Sequence, residues 1–330
     1  MNLNTRLALC YEPVAQPLEE ARNIVAGFWR DALALVPGRA DAGTAPAAPP
    51  TGKGLRPALC LMAAGACGLA KLHNYAPMAA AFEALHLASL AHDDVIDRAL
   101  TRRGASSLNA LWDNHAAVLG GDYLVARAIE TLAEYDDCGI VSQAVITVRR
   151  MAEAELAFFG MSLEAVTPDM PLNLARGKTA TLFSAACGAP ARSAGQSAYQ
   201  EALETYGMAL GMAFQLTDDL LDLSGDPDHM GKPACRDVEE GKPTYPIVLL
   251  HQQLNETDRA IFRNLFGRTI DAGERQWILD RAWDLNVMDR ARETAERYIE
   301  EALTALEVFR ESPWLRSLRI VCEIVMERDR

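Results

Sequence analysis

The sequence predicts an all-α protein, a single large helical bundle whose polar site is built inward from facing helices, and three observations predict it. Apolar residues recur at three- and four-residue steps through nearly every long segment. No stretch alternates β-branched with polar residues, and no βαβ rhythm occurs. Two aspartate segments of the same spacing, Asp93-Asp94-x-x-Asp97 and Asp218-Asp219-x-x-Asp222, each close an apolar helical run. They lie 125 residues apart (218 − 93), which suits two helices facing each other across a bundle.

Taken in order, residues 14–36 carry helical periodicity, with Leu18, Ile24, Val25, Phe28 and Leu33 on one face. Residues 37–52, rich in Ala, Pro and Gly, read as a mobile loop. The stretch TGKGLRPALCLMAAGACGLA is a Gly-Lys-Gly turn followed by an apolar helix with Pro57 in its first turn. Lys53 and Arg56 thereby sit at a positive helix N-terminus, a natural anion site. Helical pattern resumes over 77–97 and again over 107–135, where Gly120 and Gly121 suggest close helix approach or a kink. Residues 140–160 form another amphipathic run, followed by a loop at 167–171. In ARGKTATLFSAACGAP a helix carries Lys178 and Thr179 and is expected to end at Gly188-Ala-Pro190. Residues 198–223 make a long helix, 224–246 a polar active-site loop with two Gly-Lys-Pro turns, and 247–330 four or so further helices. With no repeat beyond the aspartate segments, the chain reads as one domain over 1–330.

Composition narrows the class. Half of the 330 residues are hydrophobic, enough for a sizeable core. A net charge of −13 disfavours nonspecific nucleic-acid binding and leaves no polybasic membrane anchor. The seven cysteines (10, 60, 67, 138, 187, 235, 322) are scattered, odd in number and without CxxC spacing, as for reduced thiols in a cytoplasmic protein. The first thirty residues lack a signal-peptide pattern, and no apolar run approaches the ~18 residues of a membrane helix, so a soluble protein is expected.

The stretch EALHLASLAHDDVIDRALTRRG holds the chemistry. Asp93 and Asp97 share one helix face, about 6 Å apart along the axis, and repel each other unless a cation lies between them. A hard divalent ion, Mg²⁺ above all, accepts one or two carboxylates plus substrate phosphates. Arg102 and Arg103 add forked donors matched to phosphate oxygens. A single cluster of this kind is more often a solvated helix end; its second copy makes a diphosphate site the better reading.

Five blocks in order, GKGLRP, LHLASLAHDDVID with RRG, GDYLVARA, GKTATLF, and FQLTDDLLD with GKPACRD and EGKPTYP, closely resemble the trans-type isoprenyl diphosphate synthases, the polyprenyl synthetase family. The resemblance runs from about Pro13 to the C-terminus, and its first aspartate block looks most like the long-chain polyprenyl subgroup. It implies a bundle of the isoprenoid synthase type with a central apolar tunnel. It implies head-to-tail condensation of isopentenyl diphosphate with an allylic diphosphate, release of diphosphate, and a homodimer. By the same resemblance Asp93 and Asp97 hold two Mg²⁺ ions and Asp218 a third, with Asp94, Asp219 and Asp222 acting through water or as outer partners. Arg102, Lys178 and Lys232 would grip the allylic diphosphate. Lys53, Arg56, His86 and Arg103 would form the isopentenyl diphosphate pocket. Thr179 and Gln215 would sit near the carbocation, and Lys242 would close over the site. No Ser/His/Asp-type base is found, in keeping with proton loss to the released diphosphate. His92 is read as structural.

Helix geometry adds a chain-length expectation. Ser89 and Ala88, four and five residues before Asp93, lie one turn deeper and are small, so a growing tail should pass them. Leu85 and Phe82 are candidates for the floor, and the product is expected at geranylgeranyl length or longer, long-chain polyprenyl favoured. Three positions depart from the pattern: Gly54 where a basic residue is common, Cys235 where glycine is usual, and Ala154 with Phe158 where Gly and Gln are expected. Gly54 would weaken the grip on isopentenyl diphosphate, and Phe158 would protrude into the tunnel and shorten the product. The alternatives are a short-chain (farnesyl or geranylgeranyl) synthase, a terpene cyclase, or a regulatory subunit of a heteromeric synthase. The cyclase needs no Lys53–Arg56–Arg103 pocket, and the regulatory subunit loses an aspartate cluster.

Overall fold

The structure, a computed structural model, describes residues 3–35, 52–97, 101–102, 105–106, 108–111, 113–224 and 234–327. Its helices are α1 (Leu3–Tyr11), α2 (Ala15–Ala34), α3 (Leu55–Ala66), α4 (Ala76–Ile96), α5 (Leu108–Leu111), α6 (Asn114–Ala133), α7 (Cys138–Phe158), α8 (Asp169–Ala175), α9 (Thr181–Ser193) and α10 (Ser197–Ser224). They continue as α11 (Arg236–Glu239), α12 (Tyr245–Gln253), α13 (Glu256–Leu265), α14 (Ala272–Asp284), α15 (Val287–Ala305) and α16 (Pro313–Glu327). The sheet content of the described residues is one antiparallel pair of two-residue strands, Thr101–Arg102 with Ala105–Ser106. No helix among the described residues is long and apolar enough to cross a membrane.

Local chemistry sets the boundaries. Asp137 caps α7 by accepting from Gly139 N at 2.7 Å, Asn255 caps α13 through Asp258 N at 2.9 Å, and Asp271 with Glu274 forms a reciprocal capping box on α14. The 28-residue α10 is the axis of the molecule. Its first half packs with α2, α3, α4, α9 and α16 in one apolar core. Its second half, through Leu216, Leu220 and Leu223, enters a second core built by Leu163, Val166 and buried residues between 234 and 295. Helix α9 lies very close to it: a β-carbon on Gly207 would stand 2.6 Å from Phe183 O, so glycine is what permits this approach.

Four expectations are corrected. The N-terminal helix α1 precedes anything anticipated and packs on α16. The run 107–135 is two helices, because Asp113 accepts from Ala116 N at 2.8 Å and starts α6 afresh. Helix α9 continues through Pro190 to Ser193, since residues 181–191 are all buried and packing outweighs the missing N–H. The polar loop ends before Tyr245, because Pro246 fits the first turn of α12. The stretch 37–51 lies outside the described residues.

Candidate active site

The two aspartate segments, distant in sequence, meet at one cavity. Asp93 and Asp97 come from the end of α4, and Asp218, Asp219 and Asp222 from the end of α10. The cavity, about 440 Å³, is lined by Asp97, Lys178, Thr179, Gln215 and Asp219, and also by Glu155, Asp237, Glu240 and Lys242. Asp94 is buried at 3 % exposure, and Asp218 is half-buried beside the lining residue Asp219.

Lys178 projects from a π-helical turn, Arg176–Ala180, inserted between α8 and α9. Such a bulge widens the turn and re-aims its side chains, and is frequent at functional sites. Its Nζ lies 3.2 Å from Asp93 Oδ2 and also contacts Glu155 on α7. Across the cavity Lys242 Nζ donates to Asp97 Oδ2 at 2.9 Å and meets Glu240 Oε2 at 2.8 Å. Asp93 and Asp97 are thus each answered by one ammonium group shared with a glutamate. Burial opposes the charged form of Lys178, but Asp93 and Glu155 outweigh it and hold the ammonium above its ordinary pKa. For Lys242, burial is likewise overcome by Glu240 and Asp97. Burial raises the Asp93 carboxyl, with Lys178 opposing.

At the second cluster burial dominates the electrostatics. Asp219 is pushed up to about 7 by burial, with Asp218 and Asp222 adding repulsion against donation from Gln215 and the Tyr245 backbone. Asp237 is raised by burial and then by Asp222 and Asp219. Asp222 accepts the backbone N–H groups of Arg236 (3.0 Å) and Asp237 (3.1 Å), so it also fastens α11 to α10. A polar chain joins the walls: Thr179 Oγ1 donates to Gln215 Oε1 at 2.7 Å, and Gln215 Nε2 donates to Asp219 Oδ1 at 2.8 Å.

Five carboxylates (Asp97, Glu155, Asp219, Asp237, Glu240) line the cavity against two ammonium groups (Lys178, Lys242). An all-oxygen donor set with this excess of negative charge fits hard divalent cations rather than Zn²⁺. Among the described residues no three His, Cys, Asp or Glu side chains converge to hold an ion by themselves. Mg²⁺ takes one or two carboxylates and completes its shell with water and substrate phosphate.

A second cavity, about 320 Å³, is lined by Lys53, Arg56, Glu83 and His86 with Phe214 on its apolar side. Phe214 and Gln215 are consecutive on α10, so one helix turns a neighbouring side chain into each cavity. His86 and Asp93, two turns apart on α4, serve the second and first cavities respectively.

Of the remaining candidates, Lys232 and Arg103 lie outside the described residues, as does the Arg102 side chain. Ala88, Leu85 and Phe82 are 1 %, 2 % and 0 % exposed and pack in the first core, while Ser89, half-buried, donates to His86 O at 2.8 Å. The apolar wall of the acidic cavity is instead Phe158, Phe159, Pro171, Leu174 and Ala175. His92 Nε2 approaches Val118 O (3.2 Å) and Asp122 (3.3 Å), tying α4 to α6 against Gly121. Sequence reasoning gave no role to Glu155, Asp237 or Glu240. Asp237 stands in GKPACRD and Glu240 two residues before Lys242, so each had a local signal; Glu155 had none beyond its helix.

Comparison with known proteins follows the same lines. The profile described as Polyprenyl synthetase matches residues 45–280. The chain is 34% identical over 282 residues to an all-trans-nonaprenyl-diphosphate synthase (geranyl-diphosphate specific) of Rhodobacter capsulatus, covering 84% of this chain and 85% of that one. It is 33% identical over 285 residues to the octaprenyl diphosphate synthase of Escherichia coli, covering 84% and 87%. Among solved structures, a polyprenyl synthase from Caulobacter crescentus complexed with calcium and isoprenyl diphosphate superposes with a TM-score of 0.85 at 29% identity, over 97% of each chain.

Proposed function

The chain belongs to the polyprenyl synthetase family, and from that premise we propose that it condenses isopentenyl diphosphate head-to-tail with an allylic diphosphate, releasing diphosphate. The observation that carries this reading is the pair of cavities divided by Phe214 and Gln215, one acidic with two lysines, the other with Lys53, Arg56 and His86. Two diphosphates of different partner chemistry have separate seats with a single helix between them.

The acidic cavity takes the allylic substrate. Asp93, Asp97 and the second cluster would hold Mg²⁺, three ions by the family resemblance, which would supply positive charge to the departing diphosphate. Lys178 and Lys242 hold fixed positive charge where that negative charge develops. Thr179 and Gln215, hydrogen-bonded to each other, present oxygen lone pairs toward the allylic carbon as it loses its leaving group. The apolar wall at Phe158, Leu174 and Ala175 excludes water from the cation. In the second cavity Lys53, Arg56 and His86 hold isopentenyl diphosphate, and the proton lost after carbon–carbon bond formation passes to the released diphosphate.

The product proposed is a long-chain polyprenyl diphosphate, in keeping with the nonaprenyl and octaprenyl relatives. A homodimer is supported by Val118 and Leu119 on α6 and Val145 on α7, which are 38 %, 54 % and 47 % exposed on one protomer. Incubating the purified chain with labelled isopentenyl diphosphate, Mg²⁺ and each allylic primer, followed by product chromatography, tests the reading. Extension of a primer by successive five-carbon units supports it; cyclised hydrocarbon or no transfer overturns it.

A further inference from the structure

Gly54 leaves a gap in the diphosphate-binding wall of the second cavity, and the fold fills it from elsewhere. The backbone there is left-handed, φ +66°, as the N-cap of α3. An L side chain is strained in that conformation, so the turn favours glycine over an arginine or lysine. The space that side chain would occupy is bordered by the guanidinium of Arg22, which reaches over from α2. A β-carbon on Gly54 would stand 3.6 Å from Arg22 Nη2 and 3.7 Å from Nε. Among the described residues the remaining nitrogen, Nη1, meets a carboxylate, Glu19 Oε2, at a long 3.4 Å. The Arg22 side chain remains 43% exposed, so an arriving anion need not enter the core to reach it.

A second group from the N-terminal helices points the same way. Tyr11, at the end of α1, lines the cavity with Gly54 and is 9 % exposed. Its hydroxyl is buried and makes no hydrogen bond among the described residues. A buried phenol without a partner is costly, and a ligand oxygen is a natural acceptor for it. Arg22 and Glu83 both lie close enough to influence Tyr11 electrostatically, which places the three groups in one neighbourhood.

We propose that Arg22 is a further diphosphate-binding residue of this cavity, supplying from α2 the positive charge that Gly54 cannot carry, with the Tyr11 hydroxyl as a second donor on the same wall. The assignment rests on the reading of this cavity as the isopentenyl diphosphate seat. A charge-assisted fork to a phosphate oxygen is strong enough to be read in KM.

The test is steady-state kinetics on the full chain with Mg²⁺, varying isopentenyl diphosphate at saturating primer and then the reverse, with melting temperatures measured on every variant. Arg22→Gln is expected to raise KM for isopentenyl diphosphate about tenfold and to move the primer KM less than about twofold. Arg22→Lys recovers most of that loss, and Tyr11→Phe raises the same KM about threefold. Glu19→Gln, which removes the partner carboxylate on α2, leaves this KM unchanged or lowers it. An Arg22→Gln enzyme with parental KM overturns the proposal, and so does a Glu19→Gln enzyme as impaired as Arg22→Gln, because that would reduce Arg22 to a helix-surface ion pair. If the parent transfers no prenyl group, the failure belongs to the proposed function. Calorimetric titration with inorganic pyrophosphate then decides for Arg22: weaker binding by Arg22→Gln supports it, and equal binding overturns it.

Discussion

Lys178 is the residue on which the acidic cavity turns, because it touches Asp93 and Glu155 from a π-helical turn that aims it inward. Lys178→Ala is expected to lower kcat by about 10²–10³-fold with a smaller change in KM for isopentenyl diphosphate, measured by initial rates. The apolar positions give a paired prediction about the growing tail. Ala88→Phe shortens the product if the tail runs along α4, whereas Phe158→Ala lengthens it if the aromatic wall of the cavity is the limit, and chromatography of the products from both variants reads which wall the tail follows. Much of this was legible beforehand. Lys178, Thr179 and Gln215 sit in dense blocks of sequence, and the structure brings all three to one cavity. Glu155 was not legible, since a lone glutamate on an amphipathic helix reads as solvated until its partner is folded against it. Asp237 and Glu240 differ in having a local signal, GKPACRD and the nearby Lys242, but what they do there comes from α10 and Lys242 folding beside them.

At the level of elements, the segment after α10 shows how a departure in sequence is absorbed by backbone. Cys235 stands where glycine is usual, and it adopts the left-handed conformation that glycine favours, φ +61°. It is fully buried, and its N–H donates to Asp222 O at 2.8 Å, which fixes α11 beside the second aspartate cluster. Cys235→Val, β-branched and left-handed, is expected to destabilise the protein by about 2 kcal/mol. Cys235→Gly stays within about 1 kcal/mol of the parent, because relief of the backbone offsets the lost burial of the thiol. Denaturant titration of both variants checks this. The boundaries that sequence misplaced share one cause: a local stop signal overruled by, or itself hidden in, tertiary context. Pro190 failed to end α9 because the helix is buried around it, and Asp113 divided 107–135 because its carboxylate found a backbone N–H to cap.

At the scale of the whole molecule, α10 couples two cores and two cavities, and the acidic cavity holds more negative than positive charge in the free protein. Mg²⁺ with inorganic pyrophosphate is therefore expected to raise the melting temperature by about 3–5 °C at ~100-fold excess over Kd, and EDTA to reverse the gain, both read by scanning calorimetry. The all-α architecture was plain from periodicity, and so was the meeting of the aspartate segments. The pairing of Gly54 with Arg22 was not, because nothing in a one-dimensional pattern brings α2 over the turn before α3. Phe214 and Gln215 carry a further consequence. They stand side by side on one helix and face different rooms, so an alteration to either is felt by different guests: trimming Phe214 should disturb the five-carbon donor, and altering Gln215 the primer.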